Sequence, residues 1–476
     1  MKVLLINPPS WIHSKVRMDM NPNLGLLYLA AVLEKAGYEV KVVDAECLRY
    51  TWKALRRKLK NEMPDIVGIT CTTFSYMPLK ETVKIAREIL PYSKIFIGGP
   101  HVTALVRESL LENPAADIAV MGEGEQTLVE LIKAIEENGP INRVNGIAFR
   151  SGDEILFTPR RTPIKDLDAI PFPARHLLEP NMTLYRGNEP LFSKPETVMI
   201  WSRGCPHRCL FCSNPVFGHQ QTRYRSPKNI VDEVEMLHDK YNIRSIFVYD
   251  DELVGMSQFQ NGWLTQVCDE IISRGLDDII YKCQGRCSQH IKFEVLKKMR
   301  KAGFFCIMWG VESGSQKVLN AIRKDITTEN IVETFELAKR SGIRNMAFII
   351  VGNVSETRED VKKTVSLLKR IGPDYVQVTA ATPLPGSELW NIAVSKNWIK
   401  SNDFSRYFMS KPVSSTDWMS LEEIMKMKKL LELKGLRFNT RTGIIDTFKN
   451  LEGFKRLPRR TLRFMKIVLA RVGLYK

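Results

Sequence analysis

The sequence predicts an α/β protein: a doubly wound, flavodoxin-like or Rossmann-like parallel-sheet domain, then a partial (β/α)6 barrel, then a helical, basic C-terminal region. Two observations predict this fold class. Short, continuously apolar segments alternate twice with segments whose apolar residues recur at helical spacing. Small and polar residues cluster where the apolar segments end, as expected where parallel strands present a ligand site.

The first alternation covers residues 1–140. Its predicted strands read KVLLINPP, EVKVVDA, DIVGITCTT, KIFIGGPHV and DIAVMGEG. Amphipathic segments lie between them and a fifth helix, EQTLVELIKAIEENG, closes the set. Continuously apolar strands joined by helices indicate a parallel sheet covered on both faces, with ligands bound at the carboxyl ends of its strands. Glycines at these ends let a flat or bulky ligand approach the backbone. They are Gly98, Gly99, Gly122 and Gly124.

The rest of the chain divides into three further parts. Residues 141–195 contain several prolines and are predicted to form a short antiparallel piece and a linker. Residues 196–395 alternate again, with strands TVMIWS, SIFVYDD, IIYKCQG, FFCIMWGV, NMAFIIVG and YVQVTAA. Six strand–helix units predict a barrel or partial barrel whose chemistry gathers at the carboxyl ends of its strands. Residues 396–476 are predicted to be helical and, at the end, basic.

Composition limits the class of protein. The 476 residues carry a net charge of +17, nine cysteines and no signal-peptide pattern. The apolar runs are too short to cross a bilayer. An odd number of cysteines without an export signal favours the reducing cytoplasm, where thiols bind metals or lie buried.

The stretch SRGCPHRCLFC places three cysteines, Cys205, Cys209 and Cys212, just after a predicted strand. Structural zinc normally takes four protein ligands, and His207 lies too close in sequence to serve comfortably as the fourth. Three buried structural cysteines in eight residues is the other simple alternative. An iron–sulfur cluster explains the trio better, because thiolates are its normal ligands and three of them leave one iron open.

This CxxxCxxC spacing, with Phe211 before the last cysteine, resembles the radical S-adenosylmethionine (radical SAM) superfamily. The resemblance implies a [4Fe–4S] cluster whose open iron binds SAM. It also implies reductive cleavage of SAM to methionine and a 5′-deoxyadenosyl radical that abstracts hydrogen from a substrate.

The resemblance extends to residues at successive strand ends, which it assigns to SAM binding. Asn353-Val354-Ser355 departs from the usual Leu-Pro-Gly of the family, and Arg323 stands beside Lys324 as an alternative base. Cys283 and Cys287, like Cys47, Cys71, Cys268 and Cys306, are interpreted as core residues. The residues assigned to SAM are Asp250, Asp251, Arg286, Glu312, Lys324, Gly352 and Glu356.

A doubly wound domain ahead of such a barrel, with GGPH and GEGE at strand ends, resembles the cobalamin-binding class of radical SAM enzymes. Many cobalamin domains carry an Asp-x-His-x-x-Gly segment whose histidine binds cobalt. Here the corresponding loop reads WIHSKV, so His13 lacks both partners and the motif is absent. A vestigial domain that binds nothing stays an open alternative.

The C-terminal tail, residues 455–476, has eight basic residues and no acid. Over 456–472 its bases and its apolar residues fall on opposite sides of a helix, the pattern of an interfacial membrane anchor. An amphipathic helix packed on the core is the alternative. The anchor interpretation favours peripheral contact with the inner membrane face and a lipid-like substrate.

We therefore expect a cobalamin-dependent radical SAM methyltransferase that acts on an unactivated carbon of a small or lipid-like molecule. It would be reduced by an external donor of the flavodoxin or ferredoxin type. A cyclase or rearrangement enzyme of the same class is the main alternative. A tRNA methylthiotransferase is disfavoured, because the second cysteine trio of those enzymes is missing, and nucleic acid is not an expected partner. A non-catalytic sensor is disfavoured by the intact cysteine motif.

Overall fold

The protein is described by a computed structural model over residues 1–10, 21–178, 185, 195–218 and 221–449. The α/β class is confirmed: two sheets, each rich in parallel strands, are flanked by helices. The segment around His13 and the basic tail lie outside the described residues, so both interpretations stay predictions.

The first sheet has seven strands in the order β2-β1-β3-β4-β5-β6-β7. The first five are parallel and correspond to the predicted apolar segments. Their bounds are β1 Lys2–Asn7, β2 Glu39–Asp44, β3 Ile66–Thr70, β4 Lys94–Gly98 and β5 Ile118–Val120.

A hairpin extends this sheet. Strands β6 (Ile147–Ser151) and β7 (Glu154–Phe157) pair antiparallel with each other, and β6 pairs antiparallel with β5. The short antiparallel piece predicted after residue 140 is thus present and adds to the first sheet. The predicted limits of the domains stay predictions.

Six helices cover the two faces of the first sheet. The first begins at Leu24, where the side chain of Asn23 accepts a hydrogen bond from the Leu26 N–H at 3.1 Å and caps the helix. The helices are α1 Leu24–Lys35, α2 Trp52–Glu62, α3 Tyr76–Ile89, α4 Pro100–Ala104, α5 Val106–Glu112 and α6 Glu125–Glu136.

The second sheet has six parallel strands in the order β15-β14-β13-β12-β11-β8. Strands β8 and β15 are its two edges, so the sheet is open and does not close into a full barrel, in agreement with the predicted partial barrel. Its strands are β8 Glu196–Met199, β11 Ser245–Val248, β12 Ile280–Arg286, β13 Phe304–Glu312, β14 Arg344–Val351 and β15 Tyr375–Ala380. A two-stranded ribbon, β9 (Ser202–Arg203) with β10 (Arg223–Tyr224), stands between the sheets.

Helices follow the strands of the partial barrel, and local caps define where they begin. Thr327 and Thr357 each form a capping box at a helix N-terminus. The helices are α7 Pro227–Tyr241, α8 Gln258–Ser273, α9 Phe293–Lys301, α10 Gln316–Ala321, α11 Thr328–Ser341, α12 Arg358–Ile371 and α13 Glu388–Ser395.

The C-terminal region contains one long helix, α14 (Leu421–Lys449), packed on the edge strand β15. Gly435 allows this approach, because a Cβ there would lie 3.0 Å from Cβ of Val376. Over the described ranges, no helix has the length and apolar character needed to cross a membrane.

Candidate active site

The three cysteines of the trio lie in the loop after the ribbon strand β9, and all three are half-buried. The loop is fixed by backbone hydrogen bonds from Leu210 N–H to the Ile322 carbonyl (3.0 Å) and from Leu389 N–H to the Leu210 carbonyl (2.9 Å). It therefore lies against the ends of α10 and α13, over the carboxyl ends of the barrel strands.

The thiols suit a cluster better than a single ion. Within the described ranges, no three His, Cys, Asp or Glu side chains are close enough together to hold one metal ion. A cubane cluster instead offers separate irons to separate thiolates. Burial, aided by the charge of Glu252, raises the pKa of Cys205 to about 12, and burial raises the pKa of Cys212 to about 11. Binding of iron would therefore release protons from these thiols.

Charged side chains lie around the thiols, and two of these side chains have a polar atom without a hydrogen-bond partner among the described residues. Oε2 of Glu252 lies 3.8 Å from Sγ of Cys205 and 3.4 Å from Nε2 of His207. Nη1 of Arg286 lies 3.8 Å from Sγ of Cys209. Oε1 of Glu252 and Nη2 of Arg286 are buried and have no hydrogen-bond partner in the described part of the chain. Buried polar atoms without partners indicate that a polar ligand completes this site, as SAM would.

The acids after β11 have three different positions. Asp250 is buried and accepts hydrogen bonds from Trp201 N–H (2.8 Å) and Ser202 Oγ (2.5 Å), so it supports the strand β9 that leads into the cysteine loop. Burial raises the pKa of Asp250 to about 7. Asp251 is exposed and lines a cavity. Glu252, the last acid of this run, is the one whose carboxylate lies beside a cysteine thiol.

Glu312 and Lys324 form a buried ion pair, with Nζ and Oε1 2.7 Å apart. Glu312 has φ of 61°, in the left-handed region, after an irregularity in the pairing of β13 with β14. Burial acts to lower the pKa of Lys324, but the neighbouring Glu312 carboxylate and Cys209 thiol raise it above its usual value. A backbone in the left-handed region at Glu312 and a buried ion pair beside it are both features typical of functional sites.

Glu356 and Gly352 shape the loop after β14. The buried carboxyl group of Glu356 accepts a hydrogen bond from the Gly352 N–H at 2.6 Å. Gly352 has φ of 89°, and a Cβ there would lie 3.0 Å from the side chain of Ile424 in α14. Glu356 thus holds the backbone of the loop that contains Asn353-Val354-Ser355. All the assigned SAM contacts remain predictions, since the structure places the residues without a ligand.

A cavity of about 440 Å³ lies between the two sheets. It is lined by all four predicted glycines: Gly98, Gly99, Gly122 and Gly124. Asp251, Tyr249 and Gly204 line its opposite side. A ligand here would contact the glycine loops of the first domain and the approach to the cysteine loop. A Cβ on Gly99 would lie 2.7 Å from the Cys71 carbonyl, so this position has no room for a side chain.

Other chemically capable residues belong to the core. His101 of the GGPH stretch is buried against the rings of Tyr76 and Phe404, at centroid distances of 4.2 and 4.8 Å. Burial lowers the pKa of His101 to about 4, so its ring is neutral at pH 7. Five of the remaining cysteines are buried, which confirms their core interpretation, and Cys47 is half-buried. The five are Cys71, Cys268, Cys283, Cys287 and Cys306.

Comparison with known proteins supports both halves of this arrangement. The profile of the B12 binding domain matches residues 14–132, and that of the radical SAM superfamily matches residues 199–368. The chain is 31% identical to an uncharacterized methyltransferase of Pyrococcus horikoshii, over 97% of this chain and 98% of that protein. It is 31% identical to the anaerobic magnesium-protoporphyrin IX monomethyl ester cyclase of Rubrivivax gelatinosus, over 89% of this chain and 75% of the cyclase.

The fold also has a solved counterpart. The radical S-adenosylmethionine methyltransferase TsrM of Kitasatospora setae, solved with cobalamin and a [4Fe–4S] cluster bound, superposes with a TM-score of 0.68. The match covers 84% of this chain and 76% of that chain at 18% identity. At this identity the likeness establishes the fold.

Proposed function

Because the chain belongs to the radical SAM superfamily, in the class that also carries a B12 binding domain, we propose that it transfers a methyl group from SAM to an unactivated carbon. The observation that carries the proposal is the cavity between the two sheets. Its walls combine the glycine loops of the cobalamin-binding half with residues leading into the cysteine loop.

The bound cofactors would supply radical formation and methyl-group transfer, and the chain's own residues hold and enclose them. Cys205, Cys209 and Cys212 would hold the [4Fe–4S] cluster. Glu252 and Arg286, whose buried polar atoms lack partners in the described part of the chain, would contact SAM beside it. The glycine loops would admit cobalamin close to the backbone.

The inner face of the partial barrel supports a substrate with a large apolar part. One row of paired positions crosses four neighbouring strands, from β12 to β15. It consists of Arg286, Gly310, Phe348 and Gln377, and its first member, Arg286, contacts Cys209. Side chains at paired positions of neighbouring strands lie on the same face, so this row faces the cysteine loop.

Exposure on β14 and β15 follows the same alternation. Met346, Phe348 and Ile350 on the inner face are half-buried, whereas the residues between them are fully buried under the helices. Gln377 is exposed and Thr379 is half-buried on the inner face of β15. Three apolar side chains with one amide and one hydroxyl suit a small or lipid-like molecule that carries few polar groups.

A cyclase of the same class is the second candidate, favoured by the match to the protoporphyrin ester cyclase. Methyl transfer is favoured over cyclisation, because the match to the methyltransferase of Pyrococcus horikoshii covers nearly the whole of that protein. A quarter of the cyclase lies outside its match to this chain.

Anaerobic reconstitution with SAM, hydroxocobalamin and a low-potential reductant tests the proposal. We expect both S-adenosylhomocysteine and 5′-deoxyadenosine by mass spectrometry, and loss of S-adenosylhomocysteine when cobalamin is omitted. The Cys212→Ala variant should lose both products. The Cys268→Ala variant, which removes a buried thiol from α8, should retain them. Formation of 5′-deoxyadenosine alone would overturn methyl transfer and support the cyclase.

An external one-electron donor of the flavodoxin or ferredoxin type completes the proposal. Pro206 and Arg208 of the cysteine loop are exposed, so the site can be approached from solvent at this loop. A flavodoxin in place of a chemical reductant should support product formation. No product with any protein donor would contradict this part.

Peripheral membrane contact through the basic tail is proposed from the sequence. We expect the full chain to float with vesicles that contain an anionic lipid, and a chain ending at Gly453 to float less. Vesicles of a zwitterionic lipid are the control. Equal flotation of both chains would contradict the anchor.

A further inference from the structure

The two-stranded ribbon before the cysteine loop carries two arginines side by side. Arg203 of β9 lies two residues before Cys205 and pairs in register with Arg223 of β10. Like charges directly opposite each other destabilise an antiparallel pair. The ribbon therefore needs counter-charges on this face.

The counter-charges come from the glycine loop of the first domain, GEGE. Glu125 lies 2.7 Å from Arg203, and Glu123 lies 3.2 Å from Arg203 and 2.9 Å from Arg223. All four side chains are less than one-sixth exposed. The neighbouring arginines outweigh burial and hold the pKa of Glu123 below its usual value. Two cations and two anions thus form one desolvated network across the two domains.

The network touches both candidate cofactor sites. Glu123 and Glu125 flank Gly124, and Gly122 precedes them with φ of 73° and open space where a Cβ would stand. Both acids and Arg203 line the 440 Å³ cavity. The Arg203 guanidinium also lies over the ring of Tyr28, 5.0 Å from its centroid. From Arg203 the backbone runs through Gly204 into the cysteine loop.

We propose that Arg203 is a positioning residue that couples the cobalamin cavity to the cysteine loop, so that cobalamin and SAM bind cooperatively. A ligand seated on Gly122 and Gly124 fixes the acids beside them. The acids fix Arg203 through charge-assisted hydrogen bonds, and Arg203 fixes the start of the loop that carries the cluster ligands. By linkage, each ligand then strengthens binding of the other by the same factor. This inference rests on the proposed function, since it requires both cofactors.

The test uses the full chain with a reconstituted cluster and measures the Kd of SAM with and without saturating hydroxocobalamin, and the Kd of hydroxocobalamin with and without SAM. We expect each ligand to lower the Kd of the other at least about fivefold, and this coupling factor should be the same for both ligands. In Arg203→Gln, the Kd of each ligand alone can change, because Arg203 lines the cavity, but the coupling factor should fall to about one. Arg203→Lys, which keeps one charged contact, should give an intermediate factor.

Two further variants make the result specific. Glu125→Gln removes one partner of Arg203 and leaves Glu123 with both arginines, so it should lower the factor and serves if Arg203→Gln does not fold. Arg161→Gln breaks an ion pair with Glu130 on α6 of the same domain and should leave the factor unchanged.

A factor of one in the unaltered chain, or an unchanged factor in both Arg203→Gln and Glu125→Gln, would overturn the coupling role. A chain that binds neither SAM nor hydroxocobalamin would overturn the proposed function instead. The two failures are therefore distinguishable.

Discussion

At the scale of single residues, the site depends on close packing around buried charges. Gly310 illustrates this, because a Cβ there would lie 2.6 Å from Oε1 of Glu312 and 2.6 Å from Nζ of Lys324. An alanine at this position would force the ends of these two side chains to move from where they meet beneath the cysteine loop.

We expect Gly310→Ala to displace the Glu312–Lys324 pair and to weaken SAM binding by roughly tenfold or more, consistent with an overpacking cost of about 1–3 kcal/mol. Cluster content, read from iron and sulfide analysis, should not change. The control is Gly262→Ala in α8, where a Cβ meets nothing within 4 Å. That variant should stabilise the helix by about 1 kcal/mol. Normal SAM affinity in Gly310→Ala would show that the pair does not contact SAM.

Glu356 gives a prediction about pH. Burial raises its pKa to about 8, and the unfolded value is near 4.5. Between these values the unfolded chain releases the proton and the folded chain keeps it, so the free energy of unfolding falls as pH rises from about 4.5 to about 8. The glutamine side chain in Glu356→Gln does not titrate in this pH range, so the variant lacks this contribution to the pH dependence. Relative to the unaltered chain, it should gain about 2–5 kcal/mol between pH 5 and pH 8.

Urea unfolding of the apoprotein at several pH values measures this difference. The control is Glu359→Gln, in the exposed first turn of α12: the difference in free energy of unfolding between this variant and the unaltered chain should show little pH dependence. A difference between Glu356→Gln and the unaltered chain that is constant with pH would mean that Glu356 titrates normally.

Sequence reasoning found the cysteines and the strand ends but not every contact. The run Asp250-Asp251-Glu252 predicts acids at the end of β11, yet the chain bends there and strand alternation no longer tells which acid faces which way. The structure gives the cysteine contact to Glu252 and buries Asp250 under Trp201 and Ser202. Ion pairs such as Arg203–Glu123 join residues 80 apart, and single-sequence patterns do not reveal such pairs.

At the scale of elements, the sequence predicted strands correctly where an apolar segment was long enough to show its pattern. The five parallel strands of the first sheet and the six of the second were all predicted as apolar segments. The two-residue strands of the ribbon were not, because so short a segment has no period. The packing of α14 on β15 was not predicted either, since it depends on Gly435 meeting Val376 across the fold.

The N-terminal part of α14 gives the prediction at this scale. Ile424 is buried and lies over Gly352, so Ile424→Ala should leave a cavity beside the Glu356 loop. We expect a loss of about 2–5 kcal/mol in the free energy of unfolding and weaker SAM binding with normal cluster content.

The control on the same helix is Leu433→Ala, at a side chain that is 68% exposed. It should change stability by no more than about 0.5 kcal/mol. Equal effects of the two substitutions would mean that α14 does not support the strand ends.

At the scale of the whole molecule, one face of the first sheet shares a core with the second sheet. A single cluster of buried apolar side chains includes Leu27 of α1 and Val198 of β8. The chain between the sheets reinforces it, because Ala174 N–H donates to the Leu27 carbonyl (3.0 Å) and Arg175 donates to the Val198 carbonyl (2.7 Å). These contacts join the two sheets that form the walls of the cavity.

A buried charge cluster completes this connection and gives the last prediction. Glu233 of α7 accepts from Arg175 (3.1 Å) and from Arg225 (2.6 Å), and its side chain is 0% exposed. Glu233→Gln removes the buried carboxylate that both arginines share, which should cost about 3–5 kcal/mol. Urea unfolding measures the cost, and limited proteolysis between residues 158 and 195 should become faster. Glu235→Gln, two residues along the same helix and 48% exposed beside Arg274, should cost at most about 1 kcal/mol. If both variants behave alike, the charge cluster does not hold the two sheets together.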